Sequence, residues 1–123
     1  MTKEQIANLH IGDEIWFAKF RIGYDERTRR ISALVNQSPI KYIIRNYLYD
    51  DNNTVVGFLV KDSRVNFVFH IFVDNLIDYG ITSNIKYATN EKEITEWYEN
   101  HKREQKAEYL KQLEEATKTL EEI

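Results

Sequence analysis

Cysteine is absent from this 123-residue chain. That removes disulfides, cysteine-ligated metal sites and thiol nucleophiles together. Proline occurs once and glycine four times. No G-x-x-x-x-G-K-[ST], G-x-G-x-x-G or G-x-S-x-G pattern is present, so the chain offers no phosphate loop, dinucleotide fingerprint or nucleophile elbow. No cofactor is expected. No apolar run approaches the roughly 20 residues needed to span a bilayer. The opening "MTKEQIANLHIGDE" lacks an apolar stretch of signal-peptide type, which predicts a cytoplasmic protein. A basic excess is also missing. The formal net charge is −3, and the surplus acid sits in "NEKEITEWYENH" and "QLEEATKTLEEI", which argues against a general DNA-coating protein.

What is present is a core. Hydrophobic residues make up 42% of the chain and aromatics 13%, a composition that a disordered chain does not have. "TKEQIANLH" opens with Thr2 and, three residues on, Gln5, the pattern of a capping box on a short helix. Gly12-Asp13 reads as a turn into a strand, "EIWFAKFRI". Alternation there puts Ile15 and Phe17 on one face and Trp16, Ala18, Phe20 and Ile22 on the other. A charged connection, "YDERTRR", leads to "ISALV". Pro39 in "NQSPI" reads as a break before "KYIIRNYLY". "DDNN" is a turn, because Asp and Asn bond locally to the backbone and tolerate left-handed conformations. "TVVGFLV" and "RVNFVFHIFV" read as a hairpin about "KDSR". "DNLIDYGITSN" then loops into a last strand, "IKYA". In "VNFVFHIFV", Val65, Phe67, Phe69, Ile71 and Val73 share one face, while Val68 and Phe72 flank His70 on the other. A strand apolar on both sides needs two covers, so the second face calls for the C-terminal helix or another subunit.

No Gly or Pro interrupts residues 90–123. Asn90 caps a helix there, with Glu93 at the third position. Ile94, Trp97, Tyr98 and His101 form a face that docks onto a sheet, and Trp16 is expected beneath it. Farther along, Tyr109, Leu113, Ala116, Leu120 and Ile123 recur at heptad-like spacing over about two heptads. At 1.5 Å per residue the helix runs roughly 50 Å, against some 35 Å across a domain of this size. The distal half therefore bends back, projects, or meets a partner, and its stripe is the candidate seam of a homodimer.

Catalytic chemistry is sparse. His10, His70 and His101 show no ligand spacing, and His70 reads as a hydrogen-bonded structural residue. Asp13-Glu14, Asp50-Asp51 and Asp74 with Asp78 could assemble a carboxylate metal site, but each falls at a turn where Asp is ordinary. "DDNNT" lacks the central Gly and distant Glu of a calcium loop. The sequence therefore predicts no enzyme and no metal. A sharper feature is "KFRIGYDERTRR", where Lys19, Arg21, Arg27, Arg29 and Arg30 interleave with Phe20 and Tyr24. Arginine and aromatic side chains together grip phosphates and stack bases. The alternative is a solvated turn in which Asp25 and Glu26 neutralise part of the charge.

"LHIGDEIWF", short strands and "YGITSNIKYATNEKEITEWYENHKREQ" together resemble small proteins of phages and mobile elements from low-GC Gram-positive bacteria. In that pattern a Gly-Asp turn introduces the first barrel strand and a late strand leads into an acidic, capped helix. Here those positions are Gly12-Asp13 and Tyr87 to Trp97. The chain departs from the pattern at Ile94, where a small residue is usual, and in "KYIIRNYLYD", which has no counterpart. The resemblance implies an SH3-like or related small β-barrel, a phage-type accessory role in a host bacterial cytoplasm, and no catalytic residue.

The sequence thus predicts an α+β protein: a small antiparallel sheet or SH3-like barrel of about five or six strands, a short N-terminal helix and a long C-terminal helix. Residues 1–89 form the β-rich domain and residues 90–123 the helix. The expected function is protein binding, as a homodimer, with modulation or inhibition of a bacterial enzyme such as a defence nuclease, a basic target suiting the acidic tail. The alternative is a nucleic-acid-binding accessory that uses Lys19, Arg21, Tyr24, Arg27, Arg29 and Arg30.

Overall fold

The computed structural model describes residues 1–25, 27, 30–77 and 84–121, with the side chains of residues 24, 30–35 and 115–121 outside the described set. Local chemistry sets the element boundaries. The Thr2 hydroxyl accepts from the Gln5 N–H at 3.1 Å, and Gln5 Oε1 accepts from the Thr2 N–H at 3.0 Å. This reciprocal box starts α1 (Lys3–Ala7). Gly12 then turns the chain at φ +95°, which favours glycine. The Asp13 carboxylate accepts from the His10 N–H at 2.8 Å, and β1 (Glu14–Asp25) follows. After β2 (Arg30–Tyr49), Asp50 Oδ1 accepts from the N–H groups of Asn52 and Thr54, each at 2.9 Å. Asn53 sits at φ +60° in the same turn, as "DDNN" predicts. Beyond it lie β3 (Val55–Asp62), β4 (Val68–Phe72), α2 (Val73–Leu76) and β5 (Ile85–Ala88). The Asn90 side chain accepts from the Glu93 N–H at 2.8 Å and opens α3 (Glu91–Glu121).

The fold is α+β. Its five strands form one antiparallel sheet in the order β4-β3-β2-β1-β5. The sheet is open, with β4 and β5 at opposite edges, and it is not closed into a barrel. Helices cover parts of both faces: buried residues of α1 and α2 pack into one core cluster and those of α3 into the other. The open sheet and its helices thus make three layers where the sequence allowed an SH3-like barrel.

Three local expectations are corrected. β2 does not break at Pro39 but runs through it. Phe17 pairs with Ile40 and Lys19 with Gln37, so the ladder gains a residue at Ser38-Pro39, a bulge of the kind that accommodates proline's missing N–H. Further extra residues on β2 fall opposite Arg21-Ile22 and between Ile44 and Asn46. The second correction concerns the β3–β4 turn, which is longer than "KDSR". Asp62 clasps Arg64 there, and β4 begins only at Val68. The segment after β4, expected as loop, starts with the helical turn α2; residues 78–83 lie outside the described residues.

Two apolar cores lie back to back across the sheet, as the alternation in β1 requires. Ile15 and Phe17 join Ile40, Tyr42, Ile44, Phe58, Val60 and Ile71 under Met1, Ile6 and Leu9 at the N-terminal end and Leu76 of α2. On the other face Ala18, Phe20, Ile22 and Ala88 meet Ile94 and Tyr98 of α3, with Trp16, Trp97 and Tyr109 half-buried beside them. At 31 residues α3 is roughly 46 Å long at 1.5 Å per residue. Its register with β1 shows where it goes: His101 meets Phe20, and Gln105 meets Ile22. The helix thus runs along the β1–β2 hairpin towards its tip.

Candidate protein-binding surface

α3 packs over β1, β5 and part of β2. Among the described residues the same face of β3 and β4 is left open. Parity from the register puts Lys41 and Ile43 of β2, Leu59 and Lys61 of β3, and Val68, His70 and Phe72 of β4 on it. Ile43, Leu59 and both lysines are half-buried, and His70 is exposed. Val68 and Phe72 are 46% and 53% exposed, and in the preceding turn Val65 and Phe67 are 53% and 61% exposed. Four of the nine large exposed apolar residues among those described thus fall within eight positions. Such clustering marks an interaction surface where single exposed apolar residues do not. The sequence offered the C-terminal helix as one cover for this face, and α3 does not pack on it.

The expected basic site is described only in part. Lys19 and Arg21 occupy the β1 face opposite α3, with Lys19 half-buried between Gln37 and Ile85 and Arg21 exposed. Arg27 is exposed in the hairpin turn, where its N–H donates to Asp25 Oδ1 at 2.9 Å. Tyr24 and Arg30 stand in the ladder opposite Ile31 and Asp25, but their side chains, and all of Arg29, lie outside the described residues. Of the expected self-association stripe, Tyr109 packs against the second core and Leu113 is half-buried. The neighbouring Leu110 is exposed. Ala116 and Leu120 lie in α3 with side chains outside the described set, as is all of Ile123.

Two polar clusters escaped the sequence reading. Gln105 Oε1 accepts from the Ile22 N–H at 2.9 Å, and its Nε2 donates to Asn84 Oδ1 at 2.6 Å. His101 Nε2 lies 3.1 Å from both the Phe20 carbonyl and Asn84 Oδ1, and 2.8 Å from Gln105 Nε2. The imidazole is buried and stacks on Trp97 with centroids 4.7 Å apart. This network fastens α3 to β1. The Tyr98 hydroxyl adds a bond to Asn36 Oδ1.

The second cluster is an aromatic row on the opposite face. Tyr87, Phe17, Tyr42 and Phe69 follow one another across the sheet at centroid separations of 4.9, 5.9 and 4.9 Å. Burial, then the neighbouring Tyr42, pushes the Tyr87 phenol up to about 12. Burial also raises Tyr42, with the Asp62 carboxylate adding to the effect. Asp62 itself is held below the usual carboxylate range, chiefly by hydrogen bonds from the Arg64 side chain at 3.1 and 2.8 Å. Two clefts also lie among the described residues. One of about 530 Å³ is walled by Gln5, Asp13, Glu14 and Thr89, and one of about 330 Å³ by Ile6, Leu9, Tyr47, Phe58 and Val73.

Among the described residues no group of three His, Asp or Glu side chains could hold a metal ion, and no helix is long and apolar enough to cross a membrane. Comparison with known proteins gave no match to a family model, to a curated protein or to a solved structure.

Proposed function

We propose that this protein is a non-enzymatic binding module of phage type, which docks on a bacterial enzyme and modulates or inhibits it. The observation that carries the reading is the uncovered sheet face, where Ile43, Leu59, Val68 and Phe72 lie between Lys41 and Lys61. An apolar centre with a charged rim is the usual anatomy of a protein interface. The acidic surplus on α3 suits a basic enzyme, a defence nuclease being one such class. The test is capture from a host bacterial lysate by the full chain and by Leu59→Glu, with circular dichroism to confirm that the variant folds. The expected result is one bacterial enzyme retained by the wild type, lost from Leu59→Glu, and altered in activity when the wild-type chain is added back. Equal retention by both chains would remove this face from the reading.

A second reading rests on the β1–β2 hairpin, which presents Lys19 and Arg21 on one side and Arg27 in its turn. A two-stranded ribbon with this charge fits a nucleic-acid groove. Mobility shift at two salt concentrations tests it, because phosphate contacts make binding salt-sensitive. Binding that weakens with salt and in Arg21→Ala/Arg27→Ala supports the ribbon; no shift at low salt removes it.

A further inference from the structure

The open face ends at β4, and the edge of β4 carries information of its own. Asp62 donates to the Phe67 carbonyl at 3.2 Å, which fixes the phase of the β3–β4 ladder. In an antiparallel pair, residues alternate between those bonded across the ladder and those whose N–H and C=O point away. Continuing the register, Phe69 and Ile71 bond to Val60 and Phe58, while Val68, His70 and Phe72 turn their backbone groups outward. Among the described residues nothing takes up the outward groups of Val68 and His70.

Edge strands usually carry devices that prevent pairing, such as a short length, lysine, proline, a bulge or a covering element. β5 has several: four residues, Lys86 placed 3.9 Å from Glu93, and α3 packed against it. β4 reads Val-Phe-His-Ile-Phe, with no charged residue, no proline and no register shift. Val68 and Phe72 on it are exposed, as are Val65 and Phe67 in the turn before it.

We propose that the outer edge of β4 pairs antiparallel with β4 of a second copy, about a two-fold axis at His70, joining the two sheets into one. This rests on the reading of the open face as a binding surface and names a second copy of the chain as the occupant of its edge. A register centred on His70 uses all the outward-facing residues: His70 opposes itself, and Val68 opposes Phe72 of the second copy. The apolar pair falls on the face that α3 leaves bare, where cross-strand apolar pairs stabilise a sheet. Charge does not oppose the pairing: no charged residue lies in Val68–Phe72, so a second copy in this register brings no like charges together within the ladder. The joined sheet leaves Ile43 and Leu59 of both copies available to a foreign partner.

The cysteine-free chain allows a direct test. Residues opposed in an outward-bonded antiparallel pair have Cα atoms about 5.5 Å apart, within the range of about 4.4–6.8 Å that a disulfide spans. Under mild oxidation His70→Cys is expected to form a covalent dimer. Val68→Cys is not, since residue 68 lies four residues off register from its own copy, about 13 Å away. Light scattering should give the wild type twice the 14.7 kDa chain mass. His70→Pro should return it to the single mass with an unchanged circular dichroism spectrum, because that N–H makes no bond to β3. If the proline variant unfolds, the two cysteine variants still decide. A monomeric wild type, no cross-link at position 70, or equal cross-linking at 68 and 70 overturns the proposal. If the pairing fails while Leu59→Glu still abolishes capture, the second copy is excluded and the foreign partner stands; if both fail, the surface itself is excluded.

Discussion

Asp62 shows how one side chain ties turn, sheet and pH together. Its carboxylate accepts from the Arg64 backbone and from two guanidinium nitrogens, and this clasp closes the long β3–β4 turn. Because these bonds lower its folded-state pKa, the unfolded chain binds the proton more tightly than the folded one. The clasp therefore contributes stability above the ordinary carboxylate range, and that contribution is lost as pH falls through the lowered value. Denaturant unfolding from pH 7 to pH 2 is expected to show a steeper acid loss for the wild type than for Asp62→Asn. Parallel curves would mean that the clasp does not govern acid stability. Tyr87 has the opposite sign. With its phenol raised to about 12, the unfolded chain ionises first, so stability holds below about pH 10 and drains between there and about 12. Tyr87→Phe should flatten that alkaline decline, and ultraviolet titration should show one fewer late-ionising tyrosine. Neither effect is legible in sequence. "KDSR" announces a turn, but not that its aspartate is bonded twice by the arginine two residues on.

Among the elements, those whose signals are local could be read directly. Asn90 with Glu93, Thr2 with Gln5, and "DDNN" each act within a few residues, and each forms as the sequence predicts. "IKYA" is β5 residue for residue. The continuation of β2 through Pro39 could not be read, because the bulge that tolerates it depends on pairing with β1, far along the chain. The course of α3 was half legible. The face of Ile94, Tyr98 and His101 follows from helical spacing. The tie from Gln105 to Ile22 spans 83 residues and needs the long β1–β2 hairpin to be known first. That tie can be tested alone. Gln105→Ala leaves the Ile22 N–H without its acceptor, a loss of about 1–2 kcal/mol. Hydrogen exchange at Ile22 should quicken about tenfold, the equivalent of 1.4 kcal/mol, while amides of β3 keep their protection. Unchanged exchange at Ile22 would show that the hairpin holds itself against α3 without this bond.

For the whole molecule, composition foretold a core but not that there would be two. An antiparallel sheet with alternating residues on both sides admits a closed barrel or an open sheet covered twice, and the choice depends on where the helices land. Here α1 and α2 take one face and α3 takes part of the other, which among the described residues leaves β3 and β4 bare on that side. The sequence called for a cover over the second face of "VNFVFHIFV", and among the described residues α3 does not supply it, because the helix aligns with β1 instead. Ile94 is fully buried in the smaller core, so Ile94→Ala should cost about 2–5 kcal/mol in denaturant unfolding. A cost under about 1 would mean that α3 rests on the sheet without holding it. The sheet between the cores also has a genetic consequence. Side chains on opposite faces share no partners, and substitutions at sites more than about 7–10 Å apart without shared partners combine additively. Ile94→Val on the α3 side and Leu76→Val on the α2 side should therefore sum, so that each face can drift under mutation without compensating changes in the other.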